Sequence, residues 1–201
     1  MFPPTSRSAP HPVPTPDGTA VPGAGTGRGR LDGFADPATR LLLCSDGLTT
    51  PLLEAWVGAG VSVREMSTRL VRADEAPTES VELLAADPGE VLLERRSVLA
   101  SSAGVDLSRN VVLARCGLTD AVERCLTDGS ATIGRLLREA GTGHRRTIVE
   151  AGLGSWGGEP AAFKTYVLWH GDQPLATVTE LFNPEVVPAA LRSVPALAGR
   201  S

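Results

Sequence analysis

Residues 91–115 read VLLERRSVLASSAGVDLSRNVVLAR, and the fold class turns on this stretch. Val91 to Ala100 and Asp106 to Arg115 are two runs rich in aliphatic and β-branched residues, separated by the turn formers Ser101, Ser102, Ala103 and Gly104. This is the pattern of a β-hairpin, since a short connection of small residues joins antiparallel strands and cannot complete a parallel crossover. Upstream, Val61, Val63 and Met66 begin an extended stretch that runs to about Ala73. Downstream, strand-like runs stand at about 145–151, 163–169 and 174–182, the last two joined by His170, Gly171, Asp172 and Gln173. Hairpins dominate and no βαβ alternation occurs, which predicts an α+β domain built on an antiparallel sheet with helices covering one side.

Helical signals fill the intervals between strands. Asp36 followed by Pro37 reads as an N-cap with proline at the first helical position, leading into Thr39 to Cys44. Ser45 and Asp46 read as a second cap for a helix from about Leu48 to Val57, which Gly58 and Gly60 end. Asp74 to Gly89 reads as a polar loop with one short element, and Leu118–Leu126 and Ala131–Ala140 as two helices. Residues 1–35 carry seven prolines among small and polar residues, too little apolar surface to order themselves. They are expected to form a disordered leader, with a transit-like segment or an overlong start as alternatives. The folded domain is then 36–186, and 187–201 is a tail with one or two helical turns near Ala189 to Ser193.

A chain of 201 residues is long enough for one substantial core and short for two domains. The formal charge of −4 offers no basic surface for nucleic acid or anionic lipid. No signal-peptide core and no membrane-length apolar run of about eighteen residues occurs. Three widely spaced cysteines, Cys44, Cys116 and Cys125, form no CxxC pair and fit a reduced setting. The expectation is a soluble, cytoplasmic protein, a monomer or small homo-oligomer, whose partner is a small molecule and neither nucleic acid nor membrane.

Side chains alternate between the faces of a strand, so Pro174, Ala176, Val178, Glu180 and Phe182 share one face, on which Glu180 is the only charge. An unpaired carboxylate in such a place has a raised pKa, the condition in which enzymes keep a general acid or base. A glutamate near a strand's end can also bend to solvent or pair structurally, and the pattern leaves both readings open. By the same alternation Arg95 stands with Val91, Leu93, Ser97 and Leu99, while Arg96 stands on the other face with Leu92, Glu94, Val98 and Ala100. A guanidinium held at Arg95 calls for a carboxylate, from Glu180 or from a substrate; a structural ion pair or a solvated arginine is the alternative. The start Thr132, Ile133, Gly134 offers free backbone N–H groups to a carboxylate, although Ser130 and Thr132 as ordinary caps explain it as well. His11, His144 and His170 fall in the leader, a loop and a turn, and suggest neither a metal site nor a triad. No phosphate-binding glycine loop follows a strand, so no cofactor is indicated.

In order along the chain, four groups of residues carry a family resemblance: Ser45-Asp46-Gly47-Leu48-Thr49 after a first helix; Arg95 to Leu99 entering a hairpin; Ala131-Thr132-Ile133-Gly134-Arg135; and Thr179-Glu180-Leu181-Phe182 with Pro184 just beyond. Together, over about residues 37–184, they resemble the chorismate pyruvate-lyase family, the 4-hydroxybenzoate synthases. The resemblance implies a six-stranded antiparallel sheet with helical flaps over a small internal ligand cavity. It implies that Arg95 binds a ring carboxylate, that Glu180 meets the hydroxyl on the opposite side of the ring, that backbone at Ile133 touches the ligand, and that Leu48 belongs to a flap covering it. Gly134 adjoins this contact, and the register at Arg95 and Arg96 is ambiguous by one residue, so Arg96 is also a candidate for the substrate. The function implied is a metal-free lyase that converts chorismate to 4-hydroxybenzoate and pyruvate, with Glu180 and Arg95 catalytic. Two alternatives remain: a relative acting on another cyclic carboxylate in a biosynthetic pathway, and a non-catalytic small-molecule-binding module, since a fold of this kind also serves as a ligand-sensing domain in regulators.

Overall fold

The computed structural model describes residues 31–141 and 144–192. Six strands form one antiparallel sheet: β1 (Val61–Arg72), β2 (Val91–Ser101), β3 (Asp106–Arg115), β4 (His144–Trp156), β5 (Glu159–His170) and β6 (Gln173–Phe182). Their spatial order is β1-β2-β3-β6-β5-β4, so two three-stranded meanders meet where β3 pairs with β6. The hairpin of residues 91–115 forms as expected, with Arg95 opposite Val112 and Ser97 opposite Asn110.

Among the described residues five α-helices complete the fold. In α1 (Pro37–Cys44) the Asp36 carboxylate accepts the Thr39 N–H at 2.6 Å, as the Asp-Pro signal predicts. The helix α2 (Thr49–Val57) ends at Gly58, but its cap is Leu48, with no side-chain hydrogen bond. Ser45 does not cap α2; its backbone N–H closes α1 on Leu41 O. The helix α3 (Thr78–Leu84) lies between β1 and β2, and α4 (Asp120–Thr127) and α5 (Ile133–Glu139) between β3 and β4. Val122, Cys125 and Leu126 make one apolar stripe on α4 and pack with Leu137 of α5 on Val112, Tyr166, Leu168 and Val178. Leu42, Leu43 and Leu53 of α1 and α2 pack on Leu99, Ala162 and Phe182 at the other end of the same face.

Helices do not cover one side only. Leu84 of α3 packs with Leu92 and Leu113, which alternate with Leu93 and Ala114 and so belong to the reverse face. The reason is local: Leu92 and Leu113 are apolar on the outer face of the β2–β3 hairpin and need a cover.

The ends of the fold also differ from expectation. Phe34, assigned to the leader, is 1% exposed, bridges Leu191 and packs with Val187, which was assigned to the tail and is fully buried. The large apolar side chain of Phe34 explains why folded structure starts before Asp36. No helical turn forms over 189–192; Ala35 N and Arg192 N bond instead to Ala190 O and Gly33 O across that bridge. The expected leader over 1–30, and the tail from 193 onward, lie outside the described residues. Strands β4 and β5 are longer than expected, joined at Gly157 and Gly158, whose φ angles of 59° and 93° suit the tight turn. The run GLGSWGGEP, rich in glycine and with a proline, lies outside the expected strands, yet all of it pairs except the turn residues Gly157 and Gly158.

Candidate functional site

The α1–α2 and α4–α5 pairs stand on one face of the sheet and leave a cavity between them, with about 50 Å³ open to the centres of water-sized molecules. One water needs ~10–15 Å³ on such a measure, so the space admits a small group of waters. Its floor comes from β2, β3, β5 and β6 and its walls from Leu48, Thr49, Ile133 and Gly134.

Arg95 and Glu180 both line this cavity. The alternation that places Arg95 inward sends Arg96 outward, where its Nε bonds Glu94 Oε1 at 2.8 Å beside Arg69. Arg96 is therefore not a lining residue of the cavity, and the one-residue ambiguity in register resolves to Arg95. Arg95 is 1% exposed. Its Nη1 donates to Cys125 O at 3.1 Å and Leu126 O at 3.4 Å, at the end of α4, and its buried Nε has no partner. Burial lowers its pKa from the ordinary arginine value to about 10, with Asp128 opposing through space, so the guanidinium keeps its charge at neutral pH.

Glu180 is 6% exposed and is held by three side chains. Thr49 Oγ1 donates to Oε2 at 2.6 Å, Tyr166 OH donates to Oε1 at 3.3 Å, and Lys164 Nζ stands 3.7 Å from Oε2. Lys164 is fully buried opposite Glu180 on neighbouring strands, and also donates to Leu42 O and Ser45 O at 3.0 and 3.1 Å. Burial pushes the Lys164 amine below the usual lysine value, against the upward pull of Glu180. Burial, then the Glu180 charge, raises the Tyr166 phenol well above its ordinary value, so Tyr166 remains a donor.

Leu48, Ile133 and Gly134 all reach the cavity. The helix α5 begins at Ile133 after Thr132, whose hydroxyl makes no cap but accepts from Thr50 Oγ1 at 3.1 Å, tying the starts of α2 and α5 together. Gly134 lies under this junction. A Cβ there would stand 2.7 Å from Leu48 Cδ2 and 3.3 Å from Arg146 Nη2, so glycine permits the two flaps to close.

Thr49, Lys164, Tyr166, Arg146 and Asn110 are site residues that the sequence reading did not single out. For Lys164 a signal existed: it is the only charge between Pro160 and Trp169, the same pattern that marks Glu180. Arg146 and Thr49 gave none, because they reach the cavity through the packing of β4 and α2 on other elements. Among the described residues no group of three His, Cys, Asp or Glu could hold a metal ion.

A family model described as chorismate pyruvate-lyase, Rv2949c-like, matches residues 43–189. The chain belongs to this family. Arg95, Ile133, Gly134 and Glu180 all fall inside the matched span, as do α2, α4 and α5 in full and the last two residues of α1. No curated protein matches the chain. Among solved structures, PhnF from Mycobacterium smegmatis is similar at 17% identity and a TM-score of 0.53, over 75% of this chain and 70% of that one. The effector domain of PhnF alone gives 18% identity and a TM-score of 0.50, over 70% of this chain and 91% of that one. These likenesses establish a shared fold. Among the described residues no helix is long and apolar enough to cross a membrane.

Proposed function

We propose that the protein is a cytoplasmic lyase that converts chorismate to 4-hydroxybenzoate and pyruvate in the cavity between Arg95 and Glu180. The observation that carries this reading is a buried guanidinium that makes no ion pair with a carboxylate among the described residues and shares a cavity with a buried carboxylate. Arg95 then awaits a carboxylate from the ligand, and its fork holds the ring carboxylate. Lys164 stands beside Glu180 as its countercharge, while Thr49 and Tyr166 fix its orientation.

Glu180 takes the proton from the hydroxyl-bearing ring carbon. The electron pair of that C–H bond closes the aromatic ring, and the neighbouring carbon–oxygen bond breaks. Enolpyruvate leaves with the bridging oxygen and gains a proton on its methylene to become pyruvate. Aromatisation supplies the driving force, so the protein's part is to orient the substrate and exclude water. Purified protein incubated with chorismate should yield 4-hydroxybenzoate, followed by chromatography; no product at high protein concentration would sink the reading.

A non-catalytic binding module is the second reading, favoured by the fact that Lys164, Thr49 and Tyr166 satisfy Glu180 without a ligand. The likeness to an effector domain is compatible with it. It predicts that 4-hydroxybenzoate raises the melting temperature while chorismate remains intact.

A further inference from the structure

Arg146 is the cavity's second cation without a carboxylate. It lies on β4 opposite Leu168 and lines the cavity with Arg95 and Glu180. Its guanidinium rests against the Tyr166 phenol, and its Nη2 sits at the flap junction beside Gly134. Among the described residues neither Arg95 nor Arg146 makes an ion pair with an acidic side chain. The one carboxylate that lines the cavity, Glu180, is already matched by Lys164. Two arginines thus line one cavity with no carboxylate among the described residues ion-paired to either; Asp128 acts on Arg95 only through space.

We infer that Arg146 anchors a second carboxylate, so that the cavity selects dianionic ligands: a cyclic acid held at Arg95 whose side arm carries another carboxylate to Arg146 at the flap junction. This deepens the proposed function and rests on its assignment of Arg95 to the ring carboxylate. A monocarboxylate can meet only one of these two arginines, whereas a dianion can form a charge-assisted fork with each. In the lyase reading the second carboxylate is the one on the enolpyruvyl arm. Breaking the ether bond then separates the two anions, and the ring product retains a hold on Arg95 alone. Arg146 would be a specificity residue, favouring substrate over product.

The test is binding, measured by calorimetry with stable ligands, so that it does not depend on turnover. The dianion is 3-(carboxymethoxy)benzoate, and the monoanions are benzoate and 4-hydroxybenzoate. Wild-type protein should bind the dianion at least about tenfold more tightly than benzoate, the ratio expected when one more charge-assisted fork forms. Arg146→Gln should abolish this preference while leaving 4-hydroxybenzoate affinity within about twofold, and Arg146→Lys should restore part of it. Arg95→Gln should weaken all three ligands. Equal wild-type affinity for dianion and monoanion, or an Arg146→Gln variant that loses all three ligands alike, would overturn the inference. Should Arg146→Gln fail to fold, the wild-type preference and Arg146→Lys decide alone. Absence of chorismate turnover with the preference intact would defeat the lyase reading only; turnover without the preference would defeat this inference only.

Discussion

Lys164 and Glu180 face each other across β5 and β6, Nζ to Oε2 3.7 Å, with both side chains almost wholly shut off from solvent. A buried pair is weak evidence of net stabilisation, but removing one partner strands the other charge at a cost of about 3–5 kcal/mol. Lys164→Met also leaves Leu42 O and Ser45 O without their donor. We expect it to lower unfolding free energy in urea by at least about 3 kcal/mol, with Glu180→Gln in the same chain recovering part of the loss. A single variant costing less than about 1 kcal/mol, or a strictly additive double variant, would contradict the coupling.

The two cavity residues should separate in kinetics. Glu180→Gln keeps the shape and an acceptor for one of the two hydroxyls, Thr49 or Tyr166, but removes the base, so kcat should fall about 10²–10⁴-fold with KM little changed. Arg95→Gln should act mainly on binding, raising KM. Steady-state rates with chorismate check both, and wild-type behaviour in either variant refutes that residue's role.

Gly134→Ala places a methyl 2.7 Å from Leu48 Cδ2. The clash falls on the end of a flexible side chain, so folding stability should drop by no more than about 1–3 kcal/mol, while the flap junction opens and ligand affinity falls several-fold. Leu48→Ala in the same chain removes the clash and should restore much of the stability. Thermal melting with and without 4-hydroxybenzoate reads both effects.

Glu94 should make a visible contribution to acid sensitivity. Burial raises its carboxyl, but hydrogen bonds from Arg69 and Arg96 outweigh this and hold it at about 2 against an ordinary 4.5. A folded-state value below the unfolded one means the stabilisation is complete above about pH 4.5 and disappears as pH falls toward 2. The difference in unfolding free energy between wild type and Glu94→Gln should shrink across that window; a constant difference would show that Glu94 is not the group involved.

Strand alternation alone put Arg95 and Glu180 on the right faces, because β2 and β6 are regular over those residues and a period of two leaves no other choice. The Asp-Pro cap of α1 and the hairpin at Gly104 were legible for the same reason, since each depends on neighbours in the chain. Lys164 could have been found by the rule that found Glu180. Arg146 could not, as its place depends on how β4 pairs with β5 and on the approach of α5. The reach of β4 and β5 through Gly157 and Gly158 was hidden because glycines that serve a two-residue turn look, in one sequence, like those of a loop. Phe34 and Val187 were misassigned because they pack on each other, a contact between distant parts of the chain that no local pattern encodes.

The most direct test of the central claim is a product balance with chorismate. Wild-type protein should release 4-hydroxybenzoate and pyruvate in equal amounts, many per protein molecule, and Glu180→Gln should release both at a rate lower by about 10²–10⁴. Intact chorismate after prolonged incubation with folded, ligand-binding protein would contradict the account.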